Sequence, residues 1–263
     1  MTVAGPVPAK TEGLRAKPGA HVVWIVGATH GIGTGLAELA DAEGARVVNL
    51  DLAPSDRYET LGFDLVDPQA WDEAANHFCT TLAKDRFDRA TLLVVGHANI
   101  GQGLLSKVAL EPYRASLVAN AIGPIMLGTM FLRSLPDDVA GGLMLMSSGS
   151  AARPVIGQSA YSAAKCAIEG WVRVAREELV RDERNAWVVA VRPGFVDTPG
   201  TRALAQEDIA LYPRARKLAE NVERFAVSIA VGAERIWRAL PPPEGACVLS
   251  FDGGPEDGIK ILH

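Results

Sequence analysis

Short apolar runs alternate with longer stretches of helical period from residue 21 onward. The run HVVWIVG at 21–27 is continuous and rich in valine, as expected of a strand that is buried on both faces of a sheet. Residues 31–43 have helical spacing. The repeated alternation is typical of a parallel sheet covered by crossover helices. We therefore predict an α/β fold with a doubly wound parallel sheet and helices on both faces.

The same pattern places the other elements. Strands are predicted at 46–51, 61–65, 92–95, 142–147, 187–192 and 247–251, about seven in all. Helices are predicted at 31–43, 113–135 and 159–180. A further helix should follow Asp67 and Pro68, which suit an N-cap and a first turn, with apolar positions at Trp71, Ala75, Phe78 and Leu82. Residues 1–20 lack periodicity, and we expect a flexible N-terminal arm before a single domain at 21–263.

Composition narrows the class of protein. The 263 residues are 48% hydrophobic and 22% charged, which is sufficient for a buried core. The net charge is −5 without a basic block, so we expect no nucleic-acid partner. No apolar run reaches the roughly 18 residues of a membrane span, and we expect no membrane association and a cytoplasmic location. Cys79, Cys166 and Cys247 lack metal or disulfide spacing, so we expect buried thiols, a reducing compartment and no metal site.

A glycine cluster separates the first strand from the first helix. Its sequence is Gly27-Ala28-Thr29-His30-Gly31-Ile32-Gly33. Glycines allow a tight turn and a close approach of the backbone to a pyrophosphate, which the helix N-terminus attracts. The spacing is G-x-x-x-G-x-G rather than G-x-G-x-x-G, and an ordinary tight turn is the alternative.

Asp51 ends the second predicted strand, twenty residues after Gly31. At this spacing a carboxylate binds the adenosine ribose and repels a 2′-phosphate, which favours NAD over NADP. A solvated strand end is the alternative. Asp64 is expected at the adenine edge or in a capping role. Three cations could still bind the extra phosphate: His30, Arg46 and Arg57.

Tyr161 and Lys165 are four residues apart on a predicted helix and therefore share a face. For a tyrosine to act as a base near neutrality, its pKa must fall by about 3 units, or roughly 4 kcal/mol. An ammonium about 4 Å away supplies about that much at an effective dielectric near 20. The pair alone also occurs by chance on solvated helices. Ser148 at a strand end, Asn120 on the preceding helix and Pro193-Gly194 after the next strand make the catalytic interpretation stronger.

Together these motifs resemble those of the classical short-chain dehydrogenases/reductases, over about residues 22–254. The resemblance is carried by Gly27-x-x-x-Gly31-Ile32-Gly33, Asp51, Asp64, Asn120-x-x-Gly123, Ser147-Ser148, Tyr161-Ser162-Ala163-Ala164-Lys165, Arg192-Pro193-Gly194 with Thr198, and Asp252-Gly253-Gly254. It implies a Rossmann fold and hydride transfer between the nicotinamide C4 and a secondary alcohol or ketone, or a cyclic dihydrodiol.

The resemblance also implies roles for individual residues. Tyr161 would be the general acid/base, and Ser148 would hydrogen-bond the reacting oxygen. Lys165 would bind the nicotinamide ribose and lower the pKa of Tyr161, while Asn120 would retain a water linked to Lys165. The residues expected to bind the cofactor are Gly27, Thr29, His30, Gly31, Ile32, Gly33, Asp51, Leu52, Asp64, Leu65, Gly96, His97, Ala98, Tyr161, Lys165, Pro193, Gly194, Val196 and Thr198. Those expected to contact substrate are Ser148, Asn99, Ser150 and Phe195.

The chain departs from the family pattern at two motifs. Val26-Gly27 replaces Thr-Gly, and Gly96-His97-Ala98-Asn99 replaces Asn-Asn-Ala-Gly. In the family the first Asn braces neighbouring strands and the Gly lets the cofactor ribose approach, so we expect weaker cofactor binding. His97 is interpreted as a structural hydrogen-bonding group or a substrate contact. A catalytically silent nucleotide-binding or scaffold protein is the alternative function.

Three further expectations concern substrate and assembly. The twelve-residue link between Asp51 and Asp64 is short, as in the 2,3-dihydro-2,3-dihydroxybenzoate dehydrogenases. A substrate lid is expected at about 198–225, where Arg202, Arg214, Arg216 and Lys217 either face solvent or favour an acidic substrate. The resemblance also implies a homodimer or homotetramer through 113–135 and 159–180. Gly170 and Trp171 suit close helix packing there, and the apolar tail 261–263 is expected to pack on a neighbouring subunit.

Overall fold

Eight strands form one sheet within the parts of the chain that the computed structural model describes, residues 20–98, 100–209, 212–251 and 258–263. Their spatial order is β3-β2-β1-β4-β5-β6-β7-β8. The first seven are parallel and the last pairs antiparallel with β7. The strands are β1 His21–Val26, β2 Arg46–Asp51, β3 Glu59–Gly62, β4 Arg89–Val94, β5 Ala140–Met146, β6 Ala186–Arg192, β7 Val248–Ser250 and β8 Lys260–Leu262.

Helices cover both faces of this sheet, which confirms the doubly wound α/β prediction. One apolar core contains Trp24, Phe78 and Phe131, and the other contains Val23, Leu36 and Ile236. The side chains of a strand alternate between the two faces, so neighbouring residues such as Val23 and Trp24 enter different cores. The helices are α1 Gly31–Ala42, α2 Pro68–Lys84, α3 Leu110–Leu117, α4 Gly123–Ser134, α5 Ser159–Arg181, α6 Pro199–Ala205, α7 Ala215–Phe225 and α8 Ile229–Arg238.

The predicted helix at 113–135 is three consecutive pieces. A π-helical turn, Val118–Ile122, lies between α3 and α4. The whole stretch Leu110–Ser134 is long and apolar enough to cross a membrane by length and composition, contrary to the sequence-based expectation that no such run exists. Half of its most apolar window is buried inside the fold, and Leu127 and Phe131 are fully buried in the core. These apolar side chains therefore serve the core of this domain.

The third strand, which follows β2, does not have the predicted bounds. The third strand is Glu59–Gly62 and not 61–65, because the chain leaves the sheet at Phe63 and turns at Asp64. The Asp64 carboxylate accepts a hydrogen bond from the backbone N–H of Val66 at 3.0 Å, which is a turn-forming contact. Asp67 caps α2 as predicted, accepting from Gln69 N at 2.9 Å, with Pro68 in the first turn. Of the apolar positions predicted for this helix, Ala75 is only half-buried, and its neighbour Ala74 lies in the core instead.

The C-terminal tail forms β8 beside β7 of its own chain, and Leu262 O accepts from Cys247 N at 2.9 Å. Ile261 and His263 stay exposed, and their packing on a neighbouring subunit stays a prediction. The expectation of three buried thiols is wrong for two of them, because Cys79 and Cys166 are exposed and only Cys247 is buried.

Candidate active site

The motifs singled out in the sequence meet at one edge of the sheet. Gly27, Asp51, Gly96, Ser148 and Pro193 stand at or just beyond the carboxyl ends of β1, β2, β4, β5 and β6. Because these strands are parallel neighbours, their carboxyl ends lie side by side, and we call the space beyond this edge the cleft. The carboxyl edge is where open α/β sheets bind their ligands.

The glycine loop needs its glycines for steric reasons. Gly27 has φ +86°, and a Cβ on Gly33 would stand 1.9 Å from the Gly27 carbonyl oxygen. A Cβ on Gly31, which has φ +59°, would stand 3.4 Å from Thr198 Cγ2, so the two segments expected to bind the cofactor face each other. The loop leads into the N-terminus of α1, which attracts a phosphate. These features fit a pyrophosphate cradle.

Asn49 braces this loop, although it was not among the site residues predicted from the sequence. Its Oδ1 accepts from Ala28 N at 3.2 Å, and its Nδ2 donates to Thr60 Oγ1 at 3.3 Å. Thr34 Oγ1 adds a bond to Ala28 O at 3.0 Å. Thr34 and Asn49 thus supply side-chain ties to a loop that lacks the family's threonine before Gly27. The signal in the sequence is a polar residue within the apolar run RVVNLD, where a buried amide must find partners.

Asp51 is hydrogen-bonded to the glycine loop. One carboxylate oxygen accepts from Thr29 Oγ1 at 2.5 Å and from Thr29 N at 3.3 Å. The other accepts from Ala53 N at 3.4 Å. A carboxylate has about four acceptor positions, so this group can still accept from a ribose hydroxyl. Leu52 beside it is 76% exposed, an apolar surface at the place expected for an adenine.

The three cations considered for a 2′-phosphate are already engaged. Arg46 lies at the amino end of β2, opposite Asp51, and pairs with Glu59 and Asp85 at 2.8 Å each. Arg57 pairs with Asp41 of α1. His30 contacts Thr29 Oγ1 through Nδ1 at 2.8 Å.

Gly96 occupies a place where a side chain would not fit easily. A Cβ on Gly27 would stand 2.9 Å from Gly96 Cα, and a Cβ on Gly96 would stand 3.1 Å from Val26 Cγ1 and 3.5 Å from Leu65 Cδ1. The Gly96 N–H donates to Val26 O at 2.7 Å. The glycine that replaces the family's asparagine therefore permits the close approach of β4 to β1.

Asn120 braces the segment after β4. Its Nδ2 donates to Ala98 O at 2.9 Å and to Ser116 O at 3.0 Å, and its Oδ1 accepts from Ala98 N at 3.3 Å. Asn120 is fully buried and lies in the π-helical turn, a feature common at functional sites. Asn120 thus ties the π-helical turn to the segment after β4, in which Gly96 replaces the family's asparagine. The water-retaining role of Asn120 stays a prediction.

Ser148 lies beside Tyr161 at this edge of the sheet, close enough for its hydroxyl to influence the pKa of the phenol. The Ser148 Oγ accepts from Ser150 N at 3.2 Å. Enclosure by protein raises the pKa of Tyr161 to about 12, the neighbouring Ser148 hydroxyl lowers it, and the nearby Tyr212 makes a smaller contribution that raises it. Tyr161 therefore holds its proton at neutral pH in the free protein.

Lys165 is 1% exposed and lies below the tyrosine ring. Its Nζ donates to Met146 O at 2.8 Å and stands 5.3 Å from the centre of the Tyr161 ring. Burial lowers the pKa of Lys165 to about 7. The expectation that Lys165 lowers the pKa of Tyr161 is not met in the free chain, because the ammonium is directed at a backbone carbonyl and is itself costly to charge.

His97 stands on the other side of the tyrosine, with ring centres 6.3 Å apart. His97 is exposed at this edge of the sheet. Neighbouring protein atoms and, to a smaller extent, the charge of Lys165 lower the pKa of His97. His97 is therefore a neutral imidazole that can exchange a hydrogen bond with a ligand in the cleft.

The predicted lid supplies a buried tyrosine and exposed cations. Tyr212 is 3% exposed and lies close enough to Tyr161 to raise the pKa of that phenol. Arg202 pairs with Asp197 through two bonds of 2.6 Å, and Lys217 pairs with Glu220 at 3.1 Å. All four lid cations, Arg202, Arg214, Arg216 and Lys217, are exposed, so the inward orientation that would favour an acidic substrate is wrong.

The predicted substrate contacts divide into three groups. Ser148 and Phe195 reach the cleft surface, and Phe195 is 36% exposed. Ser150 does not, because its hydroxyl is shielded from solvent; its backbone N–H orients Ser148 instead. Asn99 lies outside the described residues, as does the motif at 252–254.

Comparisons with known proteins agree with this geometry. A family model described as short chain dehydrogenase matches residues 21–209. The 3-oxoacyl-(acyl-carrier-protein) reductase of Synechocystis sp. is 29% identical over 209 residues, 75% of this chain and 83% of that protein. The 2,3-dihydro-2,3-dihydroxybenzoate dehydrogenase of Escherichia coli is 26% identical over 210 residues, 80% of this chain and 82% of that protein.

Solved structures show the same fold. A short chain dehydrogenase from Burkholderia cenocepacia, in complex with NADP, superposes with a TM-score of 0.69 at 23% identity, covering 88% of this chain and 96% of that one. The family match covers more than half of the chain and includes the glycine loop, Ser148, Tyr161 and Lys165. The chain belongs to the classical short-chain dehydrogenase/reductase family of oxidoreductases.

Proposed function

We propose that this chain reduces the carbonyl of a small ketone to a secondary alcohol, and catalyses the reverse oxidation, with a nicotinamide cofactor. The observation that carries the proposal is that Ser148 lies beside Tyr161, whose ring stands over the buried Lys165, at the carboxyl edge of the sheet. A bound nicotinamide would supply the hydride. Tyr161 would donate its phenolic proton to the carbonyl oxygen, which Ser148 would hold by a hydrogen bond.

The protonation state of the site favours reduction at neutral pH. Reduction needs a protonated tyrosine, and the pKa of Tyr161 near 12 keeps that proton in place. Oxidation needs the phenolate, which becomes more abundant as the pH rises. We therefore propose that the reduction rate exceeds the oxidation rate near pH 7.

For the cofactor we propose NAD rather than NADP. Asp51 presents a carboxylate where a 2′-phosphate would stand, and Arg46 and Arg57 are held by other carboxylates. Backbone and side-chain groups of Thr29, Gly31, Ile32 and Thr198 would hold the phosphates and the nicotinamide end. NADP in the Burkholderia structure is a property of that protein and leaves this preference to be tested.

The substrate that we propose is a ketone or secondary alcohol of modest size. The part of it that would lie near the lid is uncharged. All four lid cations are exposed, and Arg202 and Lys217 are paired with Asp197 and Glu220, while Phe195 offers exposed aromatic surface after β6. A cyclic dihydrodiol is the second candidate. The short link from Asp51 to Asp64 and the likeness to the Escherichia coli dihydrodiol dehydrogenase favour it. Because Ser148, Tyr161 and Lys165 are assembled, a silent scaffold is not proposed.

Assembly into a homodimer or homotetramer is part of the proposal. Ile122, Met126 and Val174 on the pieces around α4 and α5 are 48%, 39% and 58% exposed. Around Gly170 no atom lies within 4 Å of a would-be Cβ, so another helix could approach there. Trp171, expected in the same contact, instead packs within the chain near Gly128 of α4.

The test begins with thermal unfolding in the presence of NAD, NADH, NADP or NADPH. A ligand at 100 times its Kd stabilises the fold by about 2.7 kcal/mol. We expect a rise in Tm with NAD and NADH, and then oxidation of NADH with cyclic ketones, measured by absorbance. Tyr161→Phe should abolish turnover and still bind the nucleotide. Tyr58→Phe is the matched control, because the Tyr58 hydroxyl is buried without a hydrogen-bond partner.

Two results would contradict the proposal. Retained turnover in Tyr161→Phe would remove the tyrosine from the proton transfer. No rise in Tm with any of the four nucleotides would mean that the glycine loop does not hold a cofactor.

A further inference from the structure

A third polar side chain continues the catalytic face of α5. Tyr161, Lys165 and Glu169 follow one another at four-residue spacing, which places them on one side of the helix. Glu169 is 4% exposed, and the proposed reaction does not use it. Glu169 continues the spacing of Tyr161 and Lys165, although the sequence alone did not mark it as a site residue.

Both carboxylate oxygens of Glu169 are engaged. Oε1 accepts from Ser147 Oγ at 2.7 Å and from Arg192 Nε at 2.7 Å. Oε2 accepts from Arg192 Nη2 at 2.8 Å. The pair is bidentate, and its side chains are 9% and 6% exposed for Arg192 and Glu169. Such a fork-to-fork contact fixes the relative orientation of the two elements that carry it.

The partners of Glu169 adjoin the proposed chemistry. Ser147 directly follows β5 and precedes Ser148, and Arg192 ends β6 and directly precedes Pro193. One turn earlier on α5, Lys165 binds Met146 O. Lys165 and Glu169 therefore tie successive turns of α5 to successive residues at the carboxyl end of β5, and Glu169 extends the tie to β6.

A contribution to stability alone does not explain why the buried pair Glu169 and Arg192 is charged. Removing two charges from water is costly, and apolar residues of similar volume often replace a buried ion pair without loss of stability. What an apolar pair does not reproduce is the direction of three short hydrogen bonds. Those bonds determine where the backbone of Ser147 lies relative to Tyr161 on α5.

We infer that Glu169 and Arg192 are positioning residues that hold Ser148 and the Pro193 turn at the correct distance from Tyr161. This inference rests on the proposed function, in which Ser148 and Tyr161 share the reacting oxygen. A misplacement of Ser148 by about 1 Å can cost on the order of 100-fold in rate, although the substituted residues Glu169 and Arg192 do not touch the substrate.

The test replaces the pair by apolar side chains in the variant Glu169→Leu/Arg192→Met. We expect a folded protein whose kcat for ketone reduction is lower by about 10-fold to 100-fold, with the KM for NADH changed by less than about 3-fold. Amide hydrogen exchange should accelerate at 147–150 and 193–196 and stay unchanged in β1 and β2. His21→Leu/Thr91→Val is the matched control, since it removes a buried 2.9 Å hydrogen bond at the amino edge of the sheet.

Amide hydrogen exchange distinguishes a failure of this inference from a failure of the proposed function. If the parent reduces no ketone, the proposed function fails, and exchange at 147–150 still decides whether the pair positions this segment. Unchanged kcat and unchanged exchange in a folded double variant would overturn the inference. If that variant does not fold, Ser147→Ala keeps the ion pair and removes one of the three bonds. A lower kcat in Ser147→Ala would then support the inference, and a parental kcat would overturn it.

Discussion

Asn120 binds the backbone of Ala98 with both ends of its amide group. Nδ2 donates to Ala98 O at 2.9 Å, and Ala98 N donates to Oδ1 at 3.3 Å. The contact joins the π-helical turn before α4 to the segment after β4, which forms the floor of the cleft. A residue first considered for catalysis thus has a structural function that the geometry establishes directly.

Asn120→Ala should therefore destabilise the protein. The backbone groups of Ala98 would lose their side-chain partner, and a buried unsatisfied group costs about 1–3 kcal/mol. We expect a loss of about 3 kcal/mol in the free energy of unfolding, measured by urea denaturation, and weaker NAD binding. Asn76→Ala on the exposed face of α2 is the control and should stay within about 0.5 kcal/mol of the parent. Equal midpoints for the two variants would mean that the Ala98 contact contributes nothing.

Gly33→Ala tests the steric account of the glycine loop. The new methyl group would stand 1.9 Å from the Gly27 carbonyl oxygen, which is backbone and has little freedom to move. We expect a loss of at least about 3 kcal/mol in stability, or at least a 10-fold increase in the Kd for NAD if the loop rearranges. Calorimetry with and without NAD measures both.

Gly62→Ala is the matched control for this experiment. It has an ordinary φ, and no atom lies within 4 Å of its would-be Cβ. We expect stability and NAD affinity close to those of the parent. If Gly33→Ala behaves in the same way as Gly62→Ala, the close approach at the loop is not a constraint.

The sequence predicted most of the fold because burial and period leave a strong pattern. Strands buried on both faces leave apolar runs in the sequence, and the predicted and observed bounds of Arg46–Asp51 agree although Asn49 interrupts its run. The third strand was misplaced because Glu59–Gly62 is a half-exposed edge strand of four residues with no such run. The pairing of the tail with β7 was not predicted, because two apolar residues do not reveal which strand they lie beside.

The candidate site was predictable only where spacing along the chain reflects spacing in three dimensions. Tyr161 and Lys165 share a helix, so their proximity follows from the sequence. The contact of Glu169 with Arg192 joins α5 to β6 and depends on the packing of the two elements. The hydrogen bond from Lys165 to Met146 O likewise depends on the packing of α5 against β5.

The preference for NAD should depend on the carboxylate of Asp51. In Asp51→Ser the repulsion of a 2′-phosphate disappears together with the ribose contact. We expect the Kd for NAD to rise by about 10-fold and the ratio of the NADP and NAD dissociation constants to fall, as measured by calorimetric titration. Asp56→Ser, nearby and exposed, makes the same change in net charge and should leave the ratio unaltered. An unaltered ratio in Asp51→Ser would exclude Asp51 from the ribose site.

Lys165 should make stability depend on pH in the alkaline range. Burial lowers its pKa to about 7 in the folded chain, against an ordinary value of 10.5. Between these values the unfolded chain binds the additional proton, so stability rises with pH by up to about 1.4 kcal/mol per unit. Below pH 7 both states are protonated, and the full cost of the buried ammonium is present. Lys165→Met removes the titrating group, and its free energy of unfolding should lack this rise.

The measurement is urea denaturation at several values between pH 6 and pH 10, with the parent, Lys165→Met and the exposed Lys84→Met compared at each. We expect the difference between the parent and Lys165→Met to change steadily in favour of the parent as the pH rises. Lys84→Met should follow the parent, because its side chain is exposed at the end of α2. A constant difference between the parent and Lys165→Met across this range would mean that Lys165 keeps an ordinary pKa. The bond to Met146 O would then compensate fully for its burial.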